Sequence, residues 1–176
     1  QWTDCSHRSF AQTQGFVGKQ TLSFTKTAMN AQLPGQDPTL ADEELEAGAP
    51  ACVLSFNAND PTGASGIGAD IATIAAMGAH ALPVITSILV RDTAEIFESH
   101  EIDPEAVADQ ARSVLEDTTI ASWKVGFLGS ADGVSTVAEI LSDYTDVPLV
   151  SYLPNLSWMD DDAQMAYLDA FRELIL

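Results

Sequence analysis

Basic residues are scarce in this 176-residue chain: seven Lys and Arg stand against 26 Asp and Glu, a formal net charge of −19 at pH 7. Such a surface repels phosphate backbones, and the few cations form no stripe or patch, so nucleic acid is excluded as a partner. Cysteine is nearly absent. Cys5 and Cys52 lie far apart, form no CxxC and have no His pair beside them, which argues against a zinc site or disulfide scaffold and fits a reducing, cytoplasmic setting. Long apolar runs are missing too. No stretch approaches the roughly 18 to 20 residues of a membrane span, so no membrane partner is expected. His7, His80 and His100 have no i, i+4 partner and no carboxylate cluster, so no metal site is expected. His80 is read as a helix-end residue facing the C-terminal dipole.

What remains is 46% hydrophobic, enough for the core of one domain. Charge divides the chain. Residues 1–28 hold Arg8, Lys19 and Lys26 against Asp4 alone, are rich in Gln, Ser and Thr, and show neither helical nor strand period. They read as a non-domain extension without a packed fold, followed by Met29 as a candidate initiator. They lack the apolar core of a signal peptide and the Arg-rich character of a transit peptide. Residues 29–50 are acidic, carry Pro34, Pro38 and Pro50, and read as a linker or arm. The folded part is expected over 51–176.

From Ala51 onward, strand and helix periods alternate. Cys52 to Phe56 reads as a strand, and Ile67, Ile71, Ile74 and Gly78 recur at helical spacing. Ala81 to Val90 is a nearly continuous β-branched run of the kind buried in parallel sheets. Asp103-Pro104 supplies an N-cap with Pro at the first helical position, before an apolar face of Val107, Ala111, Val114 and Leu115. Trp123 to Leu128 reads as a strand, and Val134, Val137, Ile140 and Leu141 as a helix face. Val147 to Tyr152 reads as a strand, and Met165, Leu168, Phe171, Leu174 and Ile175 as a last helix. This order predicts an α/β fold, three layers around a mostly parallel sheet. The last helical pattern meets Leu176 with no Gly, Asn or Pro to stop it, so the sheet is expected to be incomplete at the C-terminus.

In open parallel sheets ligands bind beyond the carboxyl ends of the strands, which directs attention to residues 57–66. Gly63 and Gly66 allow close backbone approach, and the helix starting near Gly66 offers N–H groups to an anion. The alternative is a plain βα turn using Gly for steric reasons. The G-x-x-G-x-G spacing is neither the dinucleotide fingerprint nor a P-loop, and Ile67 spoils a G-x-S-x-G elbow. Asp160, Asp161 and Asp162 read as acids complementing a helix N-terminus rather than as a magnesium cluster.

The run from Ala58 through Asp60-Pro61-Thr62-Gly63, Gly66-Ile67 and Ala69-Asp70, then Gly78-Ala79, Val84-Ile85-Thr86, Thr93 and Lys124-Val125-Gly126-Phe127-Leu128, resembles the hydroxymethylpyrimidine/phosphomethylpyrimidine kinases of thiamine biosynthesis, within the ribokinase-like superfamily. The family pattern is approximately A-G-S-D-P-S-G-G-A-G-I-Q-A-D followed by K-I-G-M-L. The resemblance implies a ribokinase-like fold and an ATP-dependent kinase. The γ-phosphoryl of ATP, with Mg²⁺, passes to hydroxymethylpyrimidine or its monophosphate.

Carried over by position, Asp70 is the substrate-binding carboxylate, able to accept hydrogen bonds from an exocyclic amine. Asp60 is either a second substrate residue or an Asx-turn that orders its loop. Ala58 stands where the family has Gly and narrows the approach to the backbone. Arg91 replaces a pyrimidine-binding Gln with a donor-only cation able to pair with Asp70 or a substrate phosphate. Phe127 replaces a Met as an apolar wall. The late glycine motif that carries the family's anion hole and catalytic base has no counterpart here, so catalytic residues are expected beyond residue 176 and the chain alone is expected to be inactive. An uncovered sheet edge is expected to favour a homo-oligomer. Two other readings stay open, a non-catalytic pyrimidine-binding module and a pyridoxal or sugar kinase of the same superfamily.

Overall fold

The structure, a computed structural model, describes residues 49–175. The expectations for residues 1–28 and for most of the 29–50 arm lie outside them. Along the described chain the elements are β1 (Cys52–Asn59), α1 (Gly66–Ala76), β2 (His80–Arg91), β3 (Ile96–Glu101), α2 (Pro104–Leu115), β4 (Ser122–Val125), α3 (Ala131–Ser142), β5 (Leu149–Ser151) and α4 (Asp161–Ile175). The strands form one sheet in the order β3-β2-β1-β4-β5, parallel except for the antiparallel β2–β3 pair.

The two faces of β1 differ, and that difference organises the layers. Leu54, Phe56 and Ala58 point to an apolar side, where they join Trp123 and Val125 of β4. Val107 and Ala111 of α2, Val134, Val137 and Ile140 of α3, and Tyr167 and Phe171 of α4 complete that core. Aromatic rings make its spine. Phe56 stacks on Trp123 at 6.0 Å, Phe127 on Tyr167 at 5.4 Å, and Tyr167 on Phe171 at 6.0 Å. The alternate residues Ser55 and Asn57, with Lys124 of β4, face the other way and meet Asp70 of α1. The sheet is therefore sandwiched between α1 on a polar face and α2 to α4 on an apolar one.

The helices start where their capping chemistry dictates. Asp103 accepts from the Glu105 N–H at 2.9 Å with Pro104 in the first turn of α2, as its sequence predicts. Ser130 accepts from Gly133 N–H at 3.1 Å to cap α3. Asp160 accepts from Ala163 N–H at 2.9 Å to cap α4, so the acidic triplet serves that helix start. Among the described residues no cluster of His, Cys, Asp or Glu is placed to hold a metal ion, and no described helix is long and apolar enough to cross a membrane.

Several sequence expectations need correction. The sheet gains β3, an edge strand that pairs on one side only and is largely exposed, so its residues carry no buried β-branched run to announce it. β2 is therefore parallel to β1 on one side and antiparallel to β3 on the other, and its Ile88 and Val90 are exposed. β4 ends at Val125 rather than Leu128, because side chains capture the next N–H groups: Asn57 Oδ1 accepts from Phe127 and the Tyr167 hydroxyl from Leu128. β5 shrinks to Leu149–Ser151. On α4, Met165 and Ile175 are exposed, whereas Tyr167, absent from the expected face, is fully buried. His80 opens β2 and is not at a helix end.

Tyr167 links α4 to the end of β4 through the 2.9 Å bond from Leu128 N–H, and burial pushes its phenol well above the ordinary range. Tyr167→Phe keeps the stacked ring but strands a buried N–H, so stability should fall by about 1 to 3 kcal/mol. Urea unfolding checks this, and an unchanged midpoint would show that the hydroxyl is dispensable.

Candidate functional site

Strand order reverses at β1: β2 and β3 lie to one side, β4 and β5 to the other. Loops leaving the carboxyl ends of β1 and β4 diverge there and open a crevice. A cavity of about 620 Å³ occupies it, within the range of small-molecule sites. Its walls come from the end of β1, the start of α1, the β2–β3 turn, β4 and the segment after β5.

Asp70 lies on the polar wall, 15 residues after Ser55 in sequence yet bonded to it. Its Oδ2 accepts from Ser55 Oγ at 2.8 Å, Asn57 Nδ2 at 2.8 Å and Lys124 Nζ at 2.7 Å. Oδ1 has no protein donor among the described residues. One carboxylate oxygen thus joins α1 to β1 and β4, while the other remains an acceptor in the cavity wall. Asn57 belongs to the same network, its Oδ1 accepting from Ala58 N–H at 2.9 Å and from Phe127 N–H at 3.0 Å. Its amide fills the space where a Gly126 side chain would stand, which is why position 126 admits no Cβ.

Asp60 is organised differently. Its side chain is 0% exposed and does not line the cavity. Oδ1 accepts from Thr62 N–H at 2.9 Å and Thr62 Oγ1 at 2.7 Å, and Oδ2 from Ser65 Oγ at 2.6 Å and Arg91 Nη1 at 3.2 Å. The Asx-turn anticipated from the Asp-Pro-Thr-Gly sequence is therefore present. Burial alone would raise this carboxyl, but the bonds from Ser65 and Thr62 and the Arg91 guanidinium outweigh it and hold it below its ordinary value. Arg91 pairs with Asp60 and not with Asp70, whose cation is Lys124. Of the two partners the sequence left open for Arg91, Asp70 or a substrate phosphate, the first is not the one it takes.

Ser65 precedes α1 but turns its hydroxyl to Asp60, so it makes no side-chain cap, and the first turn of α1 carries no acidic residue. The opening N–H groups of α1 thus have no side-chain acceptor among the described residues, while Gly66 lines the cavity. Gly66 is required there: its φ is +69°, and a Cβ would lie 2.5 Å from the Ala58 carbonyl oxygen. Gly63, also at φ +69°, faces open space and does not line the cavity.

Ala58, Asp70, Arg91 and Phe127 are brought together around the cavity, with Asp60 behind Arg91. Phe127 packs edge-on against Trp158 at 5.5 Å, so an apolar wall is built from two rings. Sequence reasoning singled out neither Asn57, Trp158 and Tyr152 nor the bonding role of Lys124. Only Lys124 left a signal, as part of the family pattern.

A family profile described as phosphomethylpyrimidine kinase matches residues 60–161. Among curated relatives, a hydroxymethylpyrimidine/phosphomethylpyrimidine kinase of Streptomyces coelicolor is 39% identical over 101 residues, covering 57% of this chain and 37% of that protein. The match thus spans little more than a third of that relative. A solved structure of the last common ancestor of HMPPK and PLK/HMPPK vitamin kinases superposes with a TM-score of 0.62 at 27% identity, covering 72% of this chain and 57% of that one. The phosphomethylpyrimidine kinase of Clostridium difficile gives 0.59 at 25% identity, covering 65% and 53%. The three-layer arrangement is that of the ribokinase-like vitamin kinases.

Asp60 has an ordinary value of 3.8 and a lower one when folded, so its contribution to stability is complete above about pH 4 and is lost as pH falls through the folded value. Asp60→Asn should therefore lower the melting temperature at neutral pH and show a shallower decline between about pH 4 and pH 2 than the parent chain. Parallel acid limbs would show that Asp60 is not held below its ordinary value.

Proposed function

The chain belongs to the phosphomethylpyrimidine kinase family, and from that premise we propose that its cavity binds a hydroxymethylpyrimidine, or its monophosphate, as the phosphoryl acceptor of an ATP-dependent kinase in thiamine biosynthesis. The observation that carries this reading is Asp70: a carboxylate that lines the cavity at a topological switch point, fixed at one oxygen by three donors while the other has no donor among the described residues.

Each residue then has a physical task. Asp70 Oδ1 accepts from the exocyclic amine of the pyrimidine, and the Lys124 ammonium, 2.7 Å from Oδ2, orients that carboxylate. Phe127 and Trp158 present apolar ring surface to the heterocycle. Ala58 closes the floor at the end of β1, and Arg91 faces the ring from the β2 side. Gly63 shapes the loop, and the N–H groups that open α1 beside Gly66 suit the hydroxymethyl oxygen or a phosphate borne on it. Bound ATP with Mg²⁺ supplies the transferring phosphoryl group and the charge that shields it. No described cluster fits the metal, so no residue of this chain is assigned to it. The reading also places the protein in the cytoplasm, with residues 51–176 as part of the kinase domain, residues 1–50 outside it, and self-association into a homo-oligomer.

Isothermal titration with 4-amino-5-hydroxymethyl-2-methylpyrimidine should give saturable binding. Asp70→Asn should weaken it by about tenfold or more, equivalent to about 1.4 kcal/mol. Absence of saturable heat in the parent chain, or unchanged affinity in the variant, would overturn the assignment.

A further inference from the structure

Asp70 Oδ2 has three donors, and they are not equivalent. The Ser55 hydroxyl is free to rotate and the Lys124 ammonium ends a flexible stem, so neither fixes the direction from which it meets the carboxylate. Asn57 differs. Its Oδ1 accepts from two backbone groups, Ala58 N–H at 2.9 Å and Phe127 N–H at 3.0 Å, and these decide which way the amide faces. The reverse orientation would set the Nδ2 hydrogens against both N–H groups and leave them without an acceptor. The backbone thus directs Nδ2 to Asp70, where it donates to Oδ2 at 2.8 Å from a side chain that is only 6% exposed.

The same amide fixes the start of the apolar wall. Phe127, which lines the cavity together with Asp70, is held at its N–H by Asn57 and at its carbonyl by the Thr86 hydroxyl at 2.6 Å. The last ladder bond lies one residue earlier, from Gly126 N–H to the Phe56 carbonyl at 2.9 Å. A Cβ on Gly126 would collide with the Asn57 amide, so the bare backbone there is what lets the amide reach Phe127. Ser55 and Lys124 have no such second role, because Asp70 is the sole hydrogen-bond partner of either side chain among the described residues. Asn57 alone bonds both the carboxylate and the wall, and its donor is preorganised before any ligand arrives.

We propose that Asn57 is the positioning residue of this cavity, setting the direction of the Asp70 carboxylate and the place of Phe127 together, so that the polar and apolar sides meet a ligand as one unit. The proposal rests on the reading that Asp70 accepts from the exocyclic amine of a pyrimidine, and it adds the residue that makes the carboxylate selective for that amine.

Two probes test this, 4-amino-5-hydroxymethyl-2-methylpyrimidine and 5-hydroxymethyl-2-methylpyrimidine, which differ only in the amine, so the ratio of their affinities isolates the Asp70 contact. In isothermal titration the parent chain should prefer the amino ring by about tenfold. Asn57→Ala should reduce that preference to about threefold or less, whereas a loss of structure alone would weaken both probes equally. Asn57→Asp keeps the volume and the acceptor for both N–H groups, so it covers the case in which Asn57→Ala does not fold. It replaces the donor with an oxygen that repels Asp70 Oδ2, and should reduce the preference as far. Ser55→Ala removes a donor that does not direct the carboxylate and should keep the preference above about fivefold. Circular dichroism checks the fold of each variant. A preference that survives both Asn57 substitutions, or one that Ser55→Ala erases equally, overturns the proposal and leaves the pyrimidine reading intact. A parent chain that binds neither ring, or binds both equally, overturns the Asp70–amine reading and the proposal with it.

Discussion

Much of this structure depends on a single carboxylate oxygen. Asp70 Oδ2 accepts hydrogen bonds from Ser55 and Asn57 of β1 and from Lys124 of β4, so one atom holds α1 against the two strands on either side of the switch point. The sheet face beneath α1 is polar because these side chains share one side of their strands. A helix packed on polar groups is stable only when those groups are satisfied. Saturating Oδ2 meets that condition, and it leaves Oδ1 without a donor among the described residues on a side chain that lines the cavity. Holding the fold and serving a ligand are thus two uses of one side chain.

The second carboxylate, Asp60, repeats this logic out of reach of the cavity. It is saturated by Thr62, Ser65 and Arg91, so it organises the turn after β1 and delivers Arg91 to the wall. Ser65 is drawn away from capping α1 by the same carboxylate. The N-terminus of α1 therefore differs chemically from those of α2 and α3, which keep their side-chain caps.

The succession of strands and helices was legible because Cys52 to Phe56, Ala81 to Val90 and the α2 and α3 faces carry strong apolar periods, and because Asp103-Pro104 is a chemically explicit helix start. β3 was not legible, since an exposed edge strand of Ile, Phe, Glu, Ser and His has no buried face to impose a pattern. The end of β4 depends on Asn57 and Tyr167, distant in sequence, taking backbone N–H groups that a strand reading assigns to a ladder. Within the site, Asp70, Arg91 and Phe127 were found by position in a family pattern and do meet around one cavity. The pairing was not readable: the sequence offered Asp70 or a substrate phosphate as partner for Arg91, and only the fold shows that it takes Asp60 and leaves Asp70 to Lys124.

The dependence of the polar face on Asp70 is tested most directly by a double-mutant cycle of Asp70→Ala and Lys124→Met, with stability read by urea unfolding. Both side chains are mostly buried, 13% and 19% exposed, and in direct contact at 2.7 Å. The two substitutions should be non-additive by about 1 to 3 kcal/mol, because either one already breaks the network. Additivity to within about 0.3 to 0.5 kcal/mol would contradict the account, since the two residues would then act independently.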